Sequence, residues 1–445
     1  MCGSWSALDS EDNPYRQLTA DVWTVSQPVY YALQAISAAS LVERLPLVMR
    51  ETARAAPQIA TDAIRKELVA FFTGNRPKFP NELLLSLFCM SSSMAWLEWR
   101  ELGLQYLRQA RAVLKTLETW DLDEKQKKLL EFFNGCLIYE EMLRSVVSDD
   151  EVDIKHMLSW EEPSQKSLIT ATPHPWSGVS SDVFRLFGKA VALCRRSRAR
   201  WRHNAGTSYR VLQGAMLDIQ EATAVEDALL TVDAEQVAQN RPLEGDRGLY
   251  DTTEAYRLSS LLQLYETFPD LVSKRMPDLA DADGSVVWNN WVTPLALHIV
   301  NILEQLPVGS MRCIQPLLCL CAGSGLRFES RFEMASGHQS YLLNAEQGGK
   351  SPSSVITVSS NNSPEPDAPL LSTNFTDNSI KTSQARRFIM DRLDQLELSL
   401  PPKPINVAKQ LMRAVWAAYD EEIGSSRKTH WLDVMSNTGL HSIFG

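Results

Sequence analysis

This sequence lacks a long apolar run. None of its hydrophobic stretches approaches the roughly 18 residues that a membrane-crossing helix needs, so no spanning segment is expected. It also lacks a basic balance. Lys and Arg total 44 against 54 Asp and Glu, a formal net charge of −10. A nucleic-acid clamp normally carries a basic footprint, so direct DNA binding is not favoured. Met1–Pro14 has neither a basic start nor an apolar stretch, and no secretory leader is expected. Strand signal is almost absent. Val355-Ile356-Thr357-Val358 is the only short β-like run, and it lies inside a polar tract.

Cysteine is sparse and dispersed. The seven are Cys2, Cys89, Cys136, Cys194, Cys313, Cys319 and Cys321. An odd, scattered set in a long chain fits a reducing compartment. Cys313, Cys319 and Cys321 cluster in an apolar segment without a Cys-x-x-Cys step, so they read as small buried residues, not metal ligands. There is no phosphate loop, no dinucleotide-binding glycine fingerprint and no Gly-x-Ser-x-Gly elbow. His174 and His430 have no recognisable triad partners nearby in sequence. No catalytic residue, metal or cofactor is expected.

Helical periodicity dominates what is present. Val29, Ala32, Leu33 and Ile36 form one stripe, and Leu102, Tyr106, Ala110, Val113, Leu114 and Leu117 another. Leu129, Phe132, Phe133, Cys136 and Leu137 form a third, and Val183, Leu186, Phe187, Ala190, Val191 and Cys194 the clearest. Leu295–Leu306 and Val407–Tyr419 repeat the pattern. Each is a one-sided apolar face that must pack on another helix. Asp121 with Glu124, and Asp251 with Glu254, have the spacing of capping boxes. Ser180, Ser181 and Asp182 can cap the helix that begins near Val183.

Length alone suggests two or three domains. The breaks do not separate folding units, however, and the reading is an all-α chain with one large multi-helix body. Residues 1–13 are expected to be disordered, with the body at 14–445. A Ser-, Pro- and Asn-rich insertion at 348–383 cannot bury enough apolar surface to order itself.

Four motifs invite a functional reading. Asp149, Asp150 and Asp153 can share Mg²⁺ at a helix end, as in the aspartate-rich motif of class I terpene synthases. Asp227, Thr231 and Glu235 have the spacing of the second Mg²⁺ motif of those enzymes, with Ala228 where an acid is usual. The two motifs lie 78 residues apart, short for that fold, and a solvated acidic turn explains the first as well. Arg195, Arg196, Arg198, Arg200 and Arg202 form the one basic cluster. It reads either as a helix end complementing its dipole or as a patch for nuclear import or an acidic partner. Leu258-x-x-Leu261-Leu262 has the form of a groove-docking motif, but Leu264 and Tyr265 continue the stripe into the core.

The order of several segments carries a resemblance. They are Asn13-Pro14-Tyr15-Arg16-Gln17-Leu18 with the Val29–Ser40 helix, and Trp99–Leu117 with its Trp-Arg step. Phe132–Val147 follows, then Pro175-Trp176-Ser177-Gly178-Val179-Ser180 with Val183–Cys194. Glu254–Tyr265, Leu317–Gly325, Arg387–Leu396, Val407–Trp416 and Trp431 with Met435 complete the series. Together they resemble the fungal-specific transcription-factor domain, the helical region C-terminal to binuclear zinc clusters in fungal regulators. The resemblance implies an all-α fold, a nuclear location and control of transcription through other transcription factors or the transcription machinery. The zinc cluster of that family needs six cysteines, and only Cys2 lies in the first 88 residues here. DNA contact is therefore expected to be indirect, with no membrane partner and with a homodimer left open. The combination is similar to regulators of secondary-metabolite gene clusters, including the trichothecene-pathway regulator that lacks a zinc cluster.

Overall fold

The computed structural model describes residues 6–7, 11, 13–74, 78–97, 102–148, 150–160, 173–203, 208–233, 247–279, 286, 288–328, 377–422 and 429–444. Among these residues there are sixteen α-helices and no β-strand. In chain order they are α1 (Pro14–Val22), α2 (Gln27–Leu41), α3 (Pro46–Thr73), α4 (Asn81–Leu97), α5 (Leu104–Leu117) and α6 (Glu124–Val147). Next come α7 (Glu151–Leu158), α8 (Ser181–His203), α9 (Tyr209–Thr231), α10 (Arg247–Thr267), α11 (Pro269–Arg275) and α12 (Trp288–Gln305). The series ends with α13 (Gln315–Ser324), α14 (Asp377–Glu397), α15 (Pro402–Asp420) and α16 (Trp431–Thr438). No described helix is long and apolar enough to cross a membrane.

The packing follows the apolar stripes. Val183, Leu186, Phe187, Ala190, Val191 and Cys194 are all buried, and they seat α8 between α6 and α10. Burying each large apolar side chain stabilises by about 1.5–3 kcal/mol, so one such face outweighs the weak helix propensity of its residues. Two helices are buried on nearly every side and sit inside the body: α4 against α2, α3 and α5, and α13 against α12, α14 and α15. Leu258, Leu261, Leu262, Leu264 and Tyr265 are core residues of α10. The six described cysteines are free and buried. Burial pushes the Cys313 and Cys319 thiols up to about 12, so they are inert packing groups. Gly103 (φ +63°) opens α5, where a Cβ would stand 2.1 Å from the Ser91 carbonyl oxygen. Only glycine lets α5 lie directly on the backbone of α4.

Two expected caps move. The box of α6 is formed by Asp123 and Gln126, whose bonds measure 2.8 and 3.1 Å, and not by Asp121 and Glu124. Asp251 is interior to α10, which begins at Arg247, and Glu254 instead holds Arg257 at 2.6 Å. The expected insertion at 348–383 falls outside the described residues up to 376, as does the Val355–Val358 run, while α14 already begins at Asp377. Within the first thirteen residues, Ser6 and Asn13 are buried.

Candidate functional site

The arginine cluster forms the C-terminal half of α8. Arg195 is buried, and its Nε donates to the Ser145 carbonyl at 2.9 Å. Its Nη2 donates to the Val146 carbonyl. Both acceptors lie in the last turn of α6, where carbonyls have no partner inside the helix. Arg196 reaches Asp218 and Glu221 on α9, each at 2.8 Å. Arg200 joins it on Asp218, whose side chain is 1% exposed. Arg198 and Arg202 both hold Asp433 at the start of α16, the second at 3.4 Å. The cluster is therefore a bracket joining α6, α8, α9 and α16, with every one of the five arginines engaged inside the chain. It is not a free basic face.

The acidic motifs are occupied in the same way. Asp150 caps α7 through the Val152 N–H at 2.8 Å, which holds its carboxyl below the usual carboxylate range. Arg108 bridges Asp150 and Asp153, both at 3.2 Å. Asp227 is held by Arg275 at 2.7 Å, and the Thr231 hydroxyl donates to the Ala228 carbonyl. Asp149 and Glu235 lie outside the described residues. The two sets stand on different helices, α7 and α9. The cavity beside Asp153, lined also by Arg111, Glu141 and His156, holds about 20 Å³, room for one water. No cluster of metal-ligating side chains occurs among the described residues.

A buried polar centre lies between α10, α13 and α16. Ser324 donates to Glu266 Oε1 at 2.8 Å and receives the Gln263 amide at 3.1 Å. The Trp431 indole N–H donates to Gln263 Oε1 at 2.6 Å. His430 Nε2 stands 3.2 Å from the Thr267 hydroxyl and 3.6 Å from Glu266 Oε2, and its Nδ1 accepts from the Leu432 N–H, capping α16. Ser324 and His430 both face the carboxyl and not each other, and the hydroxyl that meets the imidazole is that of Thr267. Burial pushes Glu266 up to about 8. Burial, reinforced by Arg198, Arg327, Arg195 and Arg202, drives His430 well below its ordinary value. Both groups are therefore neutral near pH 7, and the centre works as a lock for α16. Arg327 closes it from the side, stacked over Tyr419 at 3.7 Å and bonded to Glu422 at 2.6 Å. Of these residues the sequence singled out His430 with Trp431, while Gln263 and Ser324 lie without a role of their own inside the Glu254–Tyr265 and Leu317–Gly325 segments. The others come from separated segments with no local pattern.

A second junction joins segments that are far apart in sequence. Asn13 accepts from the Tyr15 N–H at 3.0 Å and donates to Ser6 Oγ at 2.7 Å and the Pro175 carbonyl at 3.2 Å. Tyr15 meets Trp176 edge-on at 5.2 Å, and Trp176 meets Tyr139 at 5.0 Å. His174 donates to the Phe132 carbonyl at 3.0 Å. Its ring lies against Gly135, where a Cβ would stand 2.4 Å from Cδ2. The Asn-Pro-Tyr opening, the Phe132–Val147 helix and the Pro-Trp-Ser-Gly turn are thus one contact.

The sequence model described as the fungal specific transcription factor domain matches residues 1–333 and 373–445. No curated protein sequence and no solved structure matches the chain.

Proposed function

The chain belongs to the fungal-specific transcription factor domain family, and from that premise we propose that it is a nuclear transcription regulator acting through protein contacts. The observation that carries this is the family match on both sides of residues 334–372. The net charge of −10 and the internal engagement of Arg195–Arg202 support promoter contact through a partner, another transcription factor or the transcription machinery, over contact by this body itself. The target we propose is a secondary-metabolite gene cluster. That choice rests on the similarity to cluster regulators that lack a zinc cluster, since these 445 residues contain no six-cysteine array. The family suggests a non-enzyme. The described ligands of the rival Mg²⁺ reading, Asp150, Asp153 and Asp227, are ion-paired to Arg108 and Arg275.

The test is transcript profiling of a strain in which the gene is deleted. The expected result is a coordinated change in one gene set that returns on complementation. An unchanged transcriptome, grown under conditions where the protein is present, overturns the reading.

A further inference from the structure

We propose that α9 is a self-association surface on which a second copy of this chain packs antiparallel. One face of α9 is buried through Val211, Asp218, Ala222, Val225, Glu226 and Leu229. The opposite face is apolar and open. Tyr209, Leu212 and Met216 are 81%, 46% and 64% exposed, and they recur at i, i+3 and i+7, with Leu217 (53%) beside them. Single exposed apolar residues are ordinary, but four on two turns of one face are not. Between Arg210 and Glu221 the only charged residue is Asp218. It is turned inward to Arg196 and Arg200. The seam is therefore uncharged along its length.

The charges at its ends identify the occupant. Arg210 and Glu221 are eleven residues apart. At 3.6 residues per turn that is three turns, so both lie on one edge of the helix. A two-fold axis crossing α9 between Ala215 and Met216 sets Arg210 of each copy opposite Glu221 of the other. An antiparallel pair keeps the same edge on the same side, so two symmetric ion pairs form at once. Arg210 is exposed and has no ion-pair partner among the described residues. Glu221 is 43% exposed and, among the described residues, carries a single bridge, to Arg196. An unrelated partner has no reason to meet this self-complementary arrangement, whereas a second copy meets it by symmetry. One helix face per copy is at the small end of stable interfaces, so the association is weak, roughly micromolar. This inference goes beyond the transcriptional reading and does not depend on it.

Sedimentation velocity of the full chain across about 1–100 µM tests it, because that range spans a micromolar dimer. The expected result is a monomer–dimer equilibrium. Arg210→Glu and Glu221→Lys each weaken it about tenfold or more, and the double variant restores it, as paired charge reversal does at a real contact. Leu212→Asp abolishes it. Thermal melts of Arg210→Glu and Leu212→Asp stay close to that of the unaltered chain, since both positions are exposed, while Glu221→Lys also loses its bridge to Arg196 and is read through its rescue by Arg210→Glu. A monomer at every concentration, a dimer indifferent to the single reversals, or a double variant as weak as the singles overturns the proposal.

Discussion

At the residue scale, Glu266 makes pH the most informative variable. Its folded form keeps the proton up to about pH 8, against an ordinary value of 4.5. Between those values the folded chain binds more protons than the unfolded one. The stability it contributes is fully present below about pH 4.5 and is lost as pH rises through about 8. Glu266→Gln keeps an acceptor for Ser324 and removes the titration. Thermal melts from pH 5 to 8 should show the unaltered chain losing stability relative to the variant, and parallel curves would contradict the geometry. His174 acts in the other direction. Burial lowers it from 6.5 to about 4. The stability it contributes is present above pH 6.5 and is lost as pH falls through about 4, and it should remain visible in the Glu266→Gln variant. None of this was legible in the sequence. Glu266, Ser324 and Gln263 have no local signature, and His430 looked isolated because its partners are more than 100 residues away.

At the element scale, legibility depended on what occupies the buried face. Helices α5, α6, α8, α12 and α15 showed themselves because their inner faces carry large apolar side chains, and α2 through Val29 and Ile36 among its alanines. The 28-residue α3 gave no clean stripe. Its inner face mixes Ala56, Ala60 and Ala63 with Ile64 and Phe71, while Leu47, Val48, Val69 and Phe72 are exposed. The stripe of α9 was masked by two buried acids. Asp218 faces the arginines of α8, and Glu226 accepts the Tyr265 hydroxyl at 2.8 Å and Arg275 at 3.1 Å. A period search for apolar residues passes over such a face, because the side chains it buries are charged and paired. The cap of α6 was misplaced by two residues because Asp121 and Asp123 both fit the pattern by spacing. Asp123→Ala should cost about 1 kcal/mol by denaturant titration, the usual worth of an N-cap. Asp121→Ala, an exposed residue with no capping bond, should stay within about 0.5 kcal/mol. Equal losses would return the cap to Asp121.

At the scale of the whole molecule, the ordered series of segments proved the most legible feature. Several of the segments meet in the fold: Asn13, Tyr15, Phe132, His174 and Trp176 share one junction although more than 160 residues separate its ends. The arginine end of α8 was readable as a cluster but not as a bracket. Its acidic partners lie on α6-distant elements, Asp218 on α9 and Asp433 on α16, which no local window joins. The bracket and the neutral Glu266 centre both converge on α16, so the C-terminal helix is fixed to the middle of the body at two points. A body of this kind, acidic and helical, suits a regulator that presents a surface to other proteins.

A regulator of the kind proposed alters transcription once it is brought to a promoter. The most direct measurement fuses the whole chain to an unrelated DNA-binding module and reads a reporter carrying that module's site, in fungal cells. The expected reporter output is several-fold above or below that of the module alone. Output equal to the module alone, with the fusion present at normal levels, would contradict it.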